Sequence, residues 1–521
     1  MKTGVHIEVD ARLVPTDDDE LLRPLVARAC GVRTGDIRAI TITRRSLDAR
    51  QKPKVKVLYA ITAELREGVT PHGKLEPPPD EPQLAIPENR SGVRQPLVVG
   101  TGPAGLFGAL ILAMAGAQPI IVERGRDVDR RRHDIDQFFA SRHLNPESNL
   151  LFGEGGAGTW SDGKLFTRVR DPRGRLVLQT FVDAGAQPEI LYYAHPHIGS
   201  DRLPAVIAAI RQRICDLGGT FLWDTRVTAV EGDDHFRGLR LADGSLLTGP
   251  AALVACGHSA RDLIEQMATR VDTALKGFQL GCRIEHSQAF INRTQFGVEH
   301  PCPALGAAEY LFSIHGDDRG QGATTFCMCP GGEIIPATCE TGTLCTNGMS
   351  NAARSGHFAN SAIISTLPEH TFQSPRQAFD FLHRLEERLF ALGGADYSAP
   401  AQPAAAFLKG CQAPLPSHSS SYRLGLVPER LDTLVPEPIR SAIRRALREF
   451  DRKAPGFIAE GTLIGMETRV SSPVRFLRNP NTLATSMPGL YVAGEGGGMA
   501  GGIVSAAIDG IRLAERILAS S

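Results

Sequence analysis

The stretch QPLVVGTGPAGLFGALILAMAGAQPIIVERG (95–125) constrains this chain most. An apolar run leads into a glycine turn, then a small-residue helix, then a second apolar run that ends on an acid. That order specifies a βαβ unit, and hence an α/β protein with a parallel sheet. Gly100, Gly102 and Gly105 form G-x-G-x-x-G, and Glu123 closes the second strand. Each position has a physical task. The first glycine makes the tight turn, the second lets backbone approach a pyrophosphate, and the third lets helix and strand pack closely. The pyrophosphate then sits at the positive helix N-terminus, and the carboxylate binds a ribose diol. A glycine-rich turn in an unrelated α/β protein would leave the acid at the strand end unexplained. A dinucleotide is therefore the expected ligand.

Composition narrows the class further. At roughly 100–200 residues per domain, 521 residues hold several domains. Lys+Arg and Asp+Glu both number 57, so no global field selects nucleic acid or an anionic membrane. The 54 glycines exceed the usual share of about 7%. None of the ten cysteines has C-x-x-C spacing, and no metal site is expected. The start, MKTGVHIEVD, does not read as a signal peptide. The apolar stretch 105–117 is shorter than the ~20 residues of a membrane span. A cytoplasmic protein with reduced thiols is the expectation.

Residues 4–10 and 54–64 alternate like strands, and 18–30 has helical spacing after an acidic start. They predict a small α+β domain over 1–70. The proline-rich, aperiodic segment 71–94 reads as a linker. Two later segments bear on which dinucleotide is bound. Residues 221–257 read as strand, hairpin, strand and small-residue turn. Residues 489–518 read as buried strand, acidic turn and helix, with Glu495 in the turn and Gly501 or Gly502 at the helix start. Together they resemble the FAD lobe of glutathione-reductase-like flavoproteins. No second strand–GxGxxG–helix unit occurs, so no separate NAD(P)H domain is expected.

The resemblance reaches further. RRSLDAR (44–50), FGEGGAGTWSDGKL (152–165), HPHIGSDRL (195–203), GHSARD (257–262), GCRIEH (281–286), FCMCPGG (326–332), TNGMS (346–350), ETRVSSPVR (467–475) and GEGGGMAGGI (494–503) resemble, in order, a largely uncharacterised family of bacterial FAD-dependent dehydrogenases or oxidoreductases. The resemblance implies FAD as cofactor and a glutathione-reductase-like, Rossmann-type FAD domain. That domain is assembled from 95–270 and 462–521, with an α+β substrate or cap domain inserted over 271–461.

It also implies flavin contact in the glycine loop, through Gly155, Gly156, Ser161, Asp162 and Gly163, and at Gly257, Gly494, Glu495, Gly501 and Gly502. Lys164 binds an anionic substrate, sits near flavin N5, or is a surface lysine on a turn. Arg124 and Arg131 follow the acidic strand end, and Arg131 is the candidate to neutralise the pyrophosphate. His195 and His197 flank a proline and suit general acid/base work or plain structural hydrogen bonding. His258 and Arg261 face cofactor or substrate. Arg283 and Glu285 share a strand face and read as an internal ion pair. Arg469 is a candidate substrate anchor. Cys327 and Cys329 relay electrons to a disulfide or merely pack.

The expected function is hydride transfer between a small-molecule substrate and flavin N5, with NAD(P)H as a transient donor, or quinone or O2 completing the cycle. Two alternatives stand beside it. One is a flavoprotein-fold binder or RNA-modifying protein whose FAD is structural. The other is thiol–disulfide exchange through Cys327 and Cys329.

Overall fold

In the computed structural model, which describes residues 1–13, 17–79, 85–318, 320–417 and 420–519, the apolar run before the glycine turn is the strand Leu97–Val99. It lies at the centre of a five-stranded, all-parallel sheet. The order across the sheet is Leu490–Val492, Ala252–Val254, Leu97–Val99, Ile120–Val122, Thr220–Leu222. Short apolar strands of this kind are buried on both faces, which is why they do not alternate.

The helix Pro103–Met114 starts with proline, whose fixed φ suits a first turn. It is apolar all round because it is enclosed by the sheet and by the helix Ile503–Ala519. Two bare backbones permit that closeness. A Cβ at Gly105 would sit 1.9 Å from the Gly100 carbonyl oxygen, and one at Gly510 would sit 1.9 Å from the Ala104 carbonyl oxygen.

A second, seven-stranded sheet stands apart from the first. Its order is Ser313–Ile314, Ala323–Cys329, Phe358–Leu367, Phe278–Ser287, Thr462–Glu467, Ala399–Pro403, Leu426–Pro428. The amphipathic helix Ile439–Lys453 packs an apolar face, including Ile443, Leu447 and Phe450, against it. Thr462–Glu467 corrects one expectation. The sequence reading placed 462 at the return to the FAD domain. The strand instead pairs with Phe278–Ser287 and Ala399–Pro403, where its side chains are buried on both faces. The chain's two crossings between the sheets run side by side, as the antiparallel pair Thr273–Leu275 and Val474–Phe476.

The N-terminal residues form a three-stranded sheet in the order Lys2–Asp10, Lys56–Leu65, Ile37–Asp48, with the helix Asp19–Cys30 against it. Asp18 caps that helix and Gly31 ends it in the left-handed conformation. The sequence reading took 44–52 as the connection joining the later strands of this unit, whereas the strand Ile37–Asp48 runs into it. Arg45 docks this unit on the rest. Held by Asp17 of the same unit at 2.8 Å, it donates to the Ala304 carbonyl and lies over the Tyr193 ring. The segment 71–94 is more than a tether at its described ends. Glu76 pairs with Gly4, and the Ser91 N–H donates to the Leu518 carbonyl. Residues 80–84 lie outside the described part. Among the described residues no helix is long and apolar enough to cross a membrane.

Candidate functional site

A cavity of about 610 Å³ lies where the two sheets face each other, and segments far apart in sequence form its wall. One end is the first glycine turn. A Cβ at Gly100, which has φ +90°, would meet the Ala255 carbonyl at 2.5 Å, so this glycine makes the turn. A Cβ at Gly102 would enter open space at the N-terminus of the helix Pro103–Met114. Gly105 lies off the wall and packs helix on strand. The turn at Gly100 and the close packing at Gly105 are the geometry the spacing called for, and Gly102 leaves its backbone bare. Gly257 has φ +69° and likewise presents bare backbone to the cavity.

Glu123 stands on the wall but not as a free acceptor. Its carboxylate accepts from the Thr101 N–H (2.9 Å), the Thr101 hydroxyl (2.7 Å), the Gly125 N–H (3.0 Å) and the Gly153 N–H (3.1 Å). Two carboxylate oxygens offer about four acceptor sites, so a ribose diol would have to share them. The residue ties the first glycine turn to the second glycine loop. Arg131 requires a correction. It is fully buried behind that loop, donates to the Asn149 and Glu154 carbonyls, and lies under Trp160, away from the cavity. It braces the loop and does not reach a pyrophosphate. Arg124 is on the wall over the Phe152 ring, paired with Glu147 and Asp262.

In the glycine loop, Gly156, Ser161, Asp162, Gly163 and Lys164 line the cavity. Gly155 sits behind them, donating to the Thr101 carbonyl. Asp162 is buried between two cations. It accepts from Lys164 at 2.5 Å and from both arms of Arg354 at 3.1 and 2.7 Å. Burial pulls its carboxyl upward, but these cations hold it well below the usual range. Burial also pulls the Lys164 ammonium downward, and the neighbouring Cys329 and Asp162 outweigh that pull.

The remaining candidates divide. His258 and Arg469 are on the wall, while His195 and His197 are not. His195 is exposed, paired with Glu309, with its ring tilted against that of Phe166. The ring Nε2 of His197 lies 3.0 Å from the Ala352 carbonyl. Arg469 is locked between Glu386 (2.7 Å) and Glu340 (2.9 Å), and Arg261 also pairs with Glu386 (2.7 Å). The Glu495 carboxylate accepts from the Ser472 N–H at 2.8 Å, and Gly494, Gly501 and Gly502 stand beside it on the wall.

The expected Arg283–Glu285 pair does not form. Arg283 pairs with Glu467 at 2.6 Å, both fully buried, while Glu285 accepts from Ser421. The strand pairing shifts register between Cys282 and Arg283, and Glu467 on the neighbouring strand then supplies the counter-charge. Cys327 and Cys329 both reach the cavity. Sequence reasoning missed Arg354, which lies 192 residues from its partner Asp162. It also gave no role to Asn347 or to Thr225–Val227, which line the cavity. Asn347 lies in the TNGMS segment, the one signal that pointed to it.

The wall suits a dinucleotide cofactor. It offers a helix N-terminus, bare glycine backbones, and buried atoms whose hydrogen-bond partners are missing among the described residues. These atoms are His258 Nε2, Glu467 Oε1 and Arg469 Nε. Such atoms cost free energy unless a ligand supplies the partner.

Comparisons with known proteins bear on the cofactor. Residues 277–470 match the family model described as FAD-dependent protein, C-terminal domain-like, and residues 6–64 match a domain of unknown function. A protein of Clostridium beijerinckii is 37% identical over 517 residues, covering 96% of each chain. Among solved structures, the glycerol-3-phosphate dehydrogenase from Bacillus halodurans complexed with FAD is 9% identical. It covers 82% of this chain and 64% of its own, with a TM-score of 0.36. Glycine oxidase from Geobacillus kaustophilus is 10% identical, covering 82% and 94%, with a TM-score of 0.34. From the family match over its second sheet and the near full-length relative, the chain belongs to the family of FAD-dependent proteins, and its cofactor is FAD.

Proposed function

We propose that the protein is an oxidoreductase that moves a hydride between a small-molecule substrate and flavin N5. One observation carries the reading. A single cavity wall joins the dinucleotide turn of the parallel sheet to side chains of the seven-stranded sheet. When bound, FAD supplies a reversible two-electron acceptor. Gly100, Gly102 and the following helix N-terminus would hold its pyrophosphate, and Gly494, Gly501 and Gly502 its flavin side. The strand end at Thr225–Val227 would border its adenosine.

His258 would take the substrate proton at Nε2. Burial pushes this imidazole below its ordinary value, so it is neutral at pH 7 and can accept. The Arg261–Glu386–Arg469 cluster holds the cap against the FAD lobe and excludes water. The test is anaerobic exposure of the purified yellow protein to NADH, NADPH and a metabolite panel. One donor should bleach the visible flavin band, and His258→Asn should slow the bleaching while keeping the cofactor. A flavin that dithionite reduces but no donor does would overturn the reading in favour of a structural cofactor.

Thiol–disulfide exchange is the second reading, because Cys327 and Cys329 share the wall. Exchange needs a thiolate. Cys327 is exposed on the wall, while burial raises Cys329, whose thiol donates to the Cys327 carbonyl at 3.2 Å. Cys329→Ser with unchanged turnover would remove this reading.

A further inference from the structure

The cap end of the cavity has a composition of its own. Of the cations on the wall, Arg124, Arg226 and Arg469 stand against carboxylates, Arg226 at 3.6 Å from Asp262, as does Arg283 behind the wall. Lys164 differs. It uses one of its three N–H donors on Asp162 among the described residues, and Asp162 also takes both arms of Arg354. One carboxylate thus serves two cations. The next acid, Glu309, is 3.6 Å from Arg354 but is itself paired with His195.

Asn347 adds a neutral donor. Its Oδ1 accepts from Arg283 (3.2 Å) and from the Gly348 N–H (2.7 Å), which commits the amide oxygen and leaves the NH2 as the group to offer. Phe166 and Phe326 stand on the same wall and remain 56% and 37% exposed. Large aromatic surfaces left open beside a partly neutralised cation fit a ligand with an apolar body and an anionic end.

We propose that this end of the cavity binds the substrate as an apolar carboxylate, its carboxylate on Lys164 and Asn347 and its body against Phe166 and Phe326. The inference rests on the oxidoreductase reading above and adds the substrate class to it. The direction of the Lys164 shift agrees, since an ammonium held charged serves as an anchor and not as a base.

The experiment titrates the FAD-bound protein with benzoate, with the neutral isostere benzamide, and with acetate. Perturbation of the flavin spectrum is followed, and calorimetry on the same samples reads any binding that leaves the spectrum unchanged. Benzoate should bind about tenfold or more tightly than either control, the gap expected for one charge-assisted contact and one aromatic contact. Lys164→Met should erase the preference for benzoate over benzamide, Lys164→Arg should keep it, and Phe326→Ala should narrow the gap between benzoate and acetate. The flavin band of each variant reports that it folds and holds FAD. Equal binding of benzoate and benzamide, no binding of benzoate, or a preference that survives Lys164→Met would overturn the proposal. A protein that a metabolite reduces but that ignores benzoate would sink this inference alone, leaving the oxidoreductase reading standing.

Discussion

A methyl group added at Gly102 would enter open space on the cavity wall, whereas one added at Gly105 would lie 1.9 Å from the Gly100 carbonyl oxygen. The two substitutions should therefore fail differently. Gly102→Ala should melt like the parent without cofactor but bind FAD about tenfold more weakly, roughly 1.4 kcal/mol, in a fluorescence titration. Gly105→Ala should lose about 1–3 kcal/mol of stability in urea unfolding, because helix and strand must separate. Equal losses of stability would refute the division of tasks. At this scale the sequence was legible where the motif itself carries the reason, as at these glycines. It was not legible at Arg131. A run of five arginines does not reveal which one the helix turns inward, and only packing aims Arg131 at two carbonyls.

At the scale of elements, the helix Pro375–Leu392 carries Glu386 within its buried stripe, beside Leu382, Leu385 and Leu389. An acid in an apolar stripe is a sign that sequence can show, but its partners belong to other elements. Arg261 opens the helix Arg261–Ala268, and Arg469 follows the strand Thr462–Glu467. Burial pulls the Glu386 carboxyl upward, and the two guanidiniums outweigh it and hold it at about 2 against an ordinary 4.5. The folded pKa is depressed. Its contribution is thus present above the ordinary value and is lost as pH falls through about 4.5 towards 2. At pH 7, Glu386→Gln should cost about 3–5 kcal/mol, since two buried cations lose a shared counter-charge and keep only the half-buried Glu340. Urea midpoints of parent and variant should converge on acidification. A constant gap down to pH 3 would show that the carboxylate charge is not what holds these elements together.

At the scale of the molecule, two sheets meet around one cavity and the N-terminal unit docks outside it, and two measurements test whether the parts act together. Removing Arg45 takes the donor from the Ala304 carbonyl and the cation from the Tyr193 ring, contacts that dock the N-terminal sheet. Arg45→Ala should open the 71–94 segment to limited proteolysis faster than in the parent. An unchanged digestion pattern would place the docking elsewhere. Because FAD would contact wall segments from both ends of the chain, adding it at a hundredfold excess over Kd should stabilise the whole by about 2.7 kcal/mol. A melt in which only one of two transitions moves would show that the units unfold independently. The sequence by itself determined the βαβ unit, the turn at Gly100, the close packing at Gly105 and the helix of the N-terminal unit, because local backbone geometry and periodicity act within a few residues. The tertiary structure alone decided that Glu467 balances Arg283, that Arg354 balances Asp162, and that Thr462–Glu467 joins the seven-stranded sheet. Those outcomes depend on burial. A charge taken from water selects the nearest counter-charge in space, and no spacing along the chain records which one that will be.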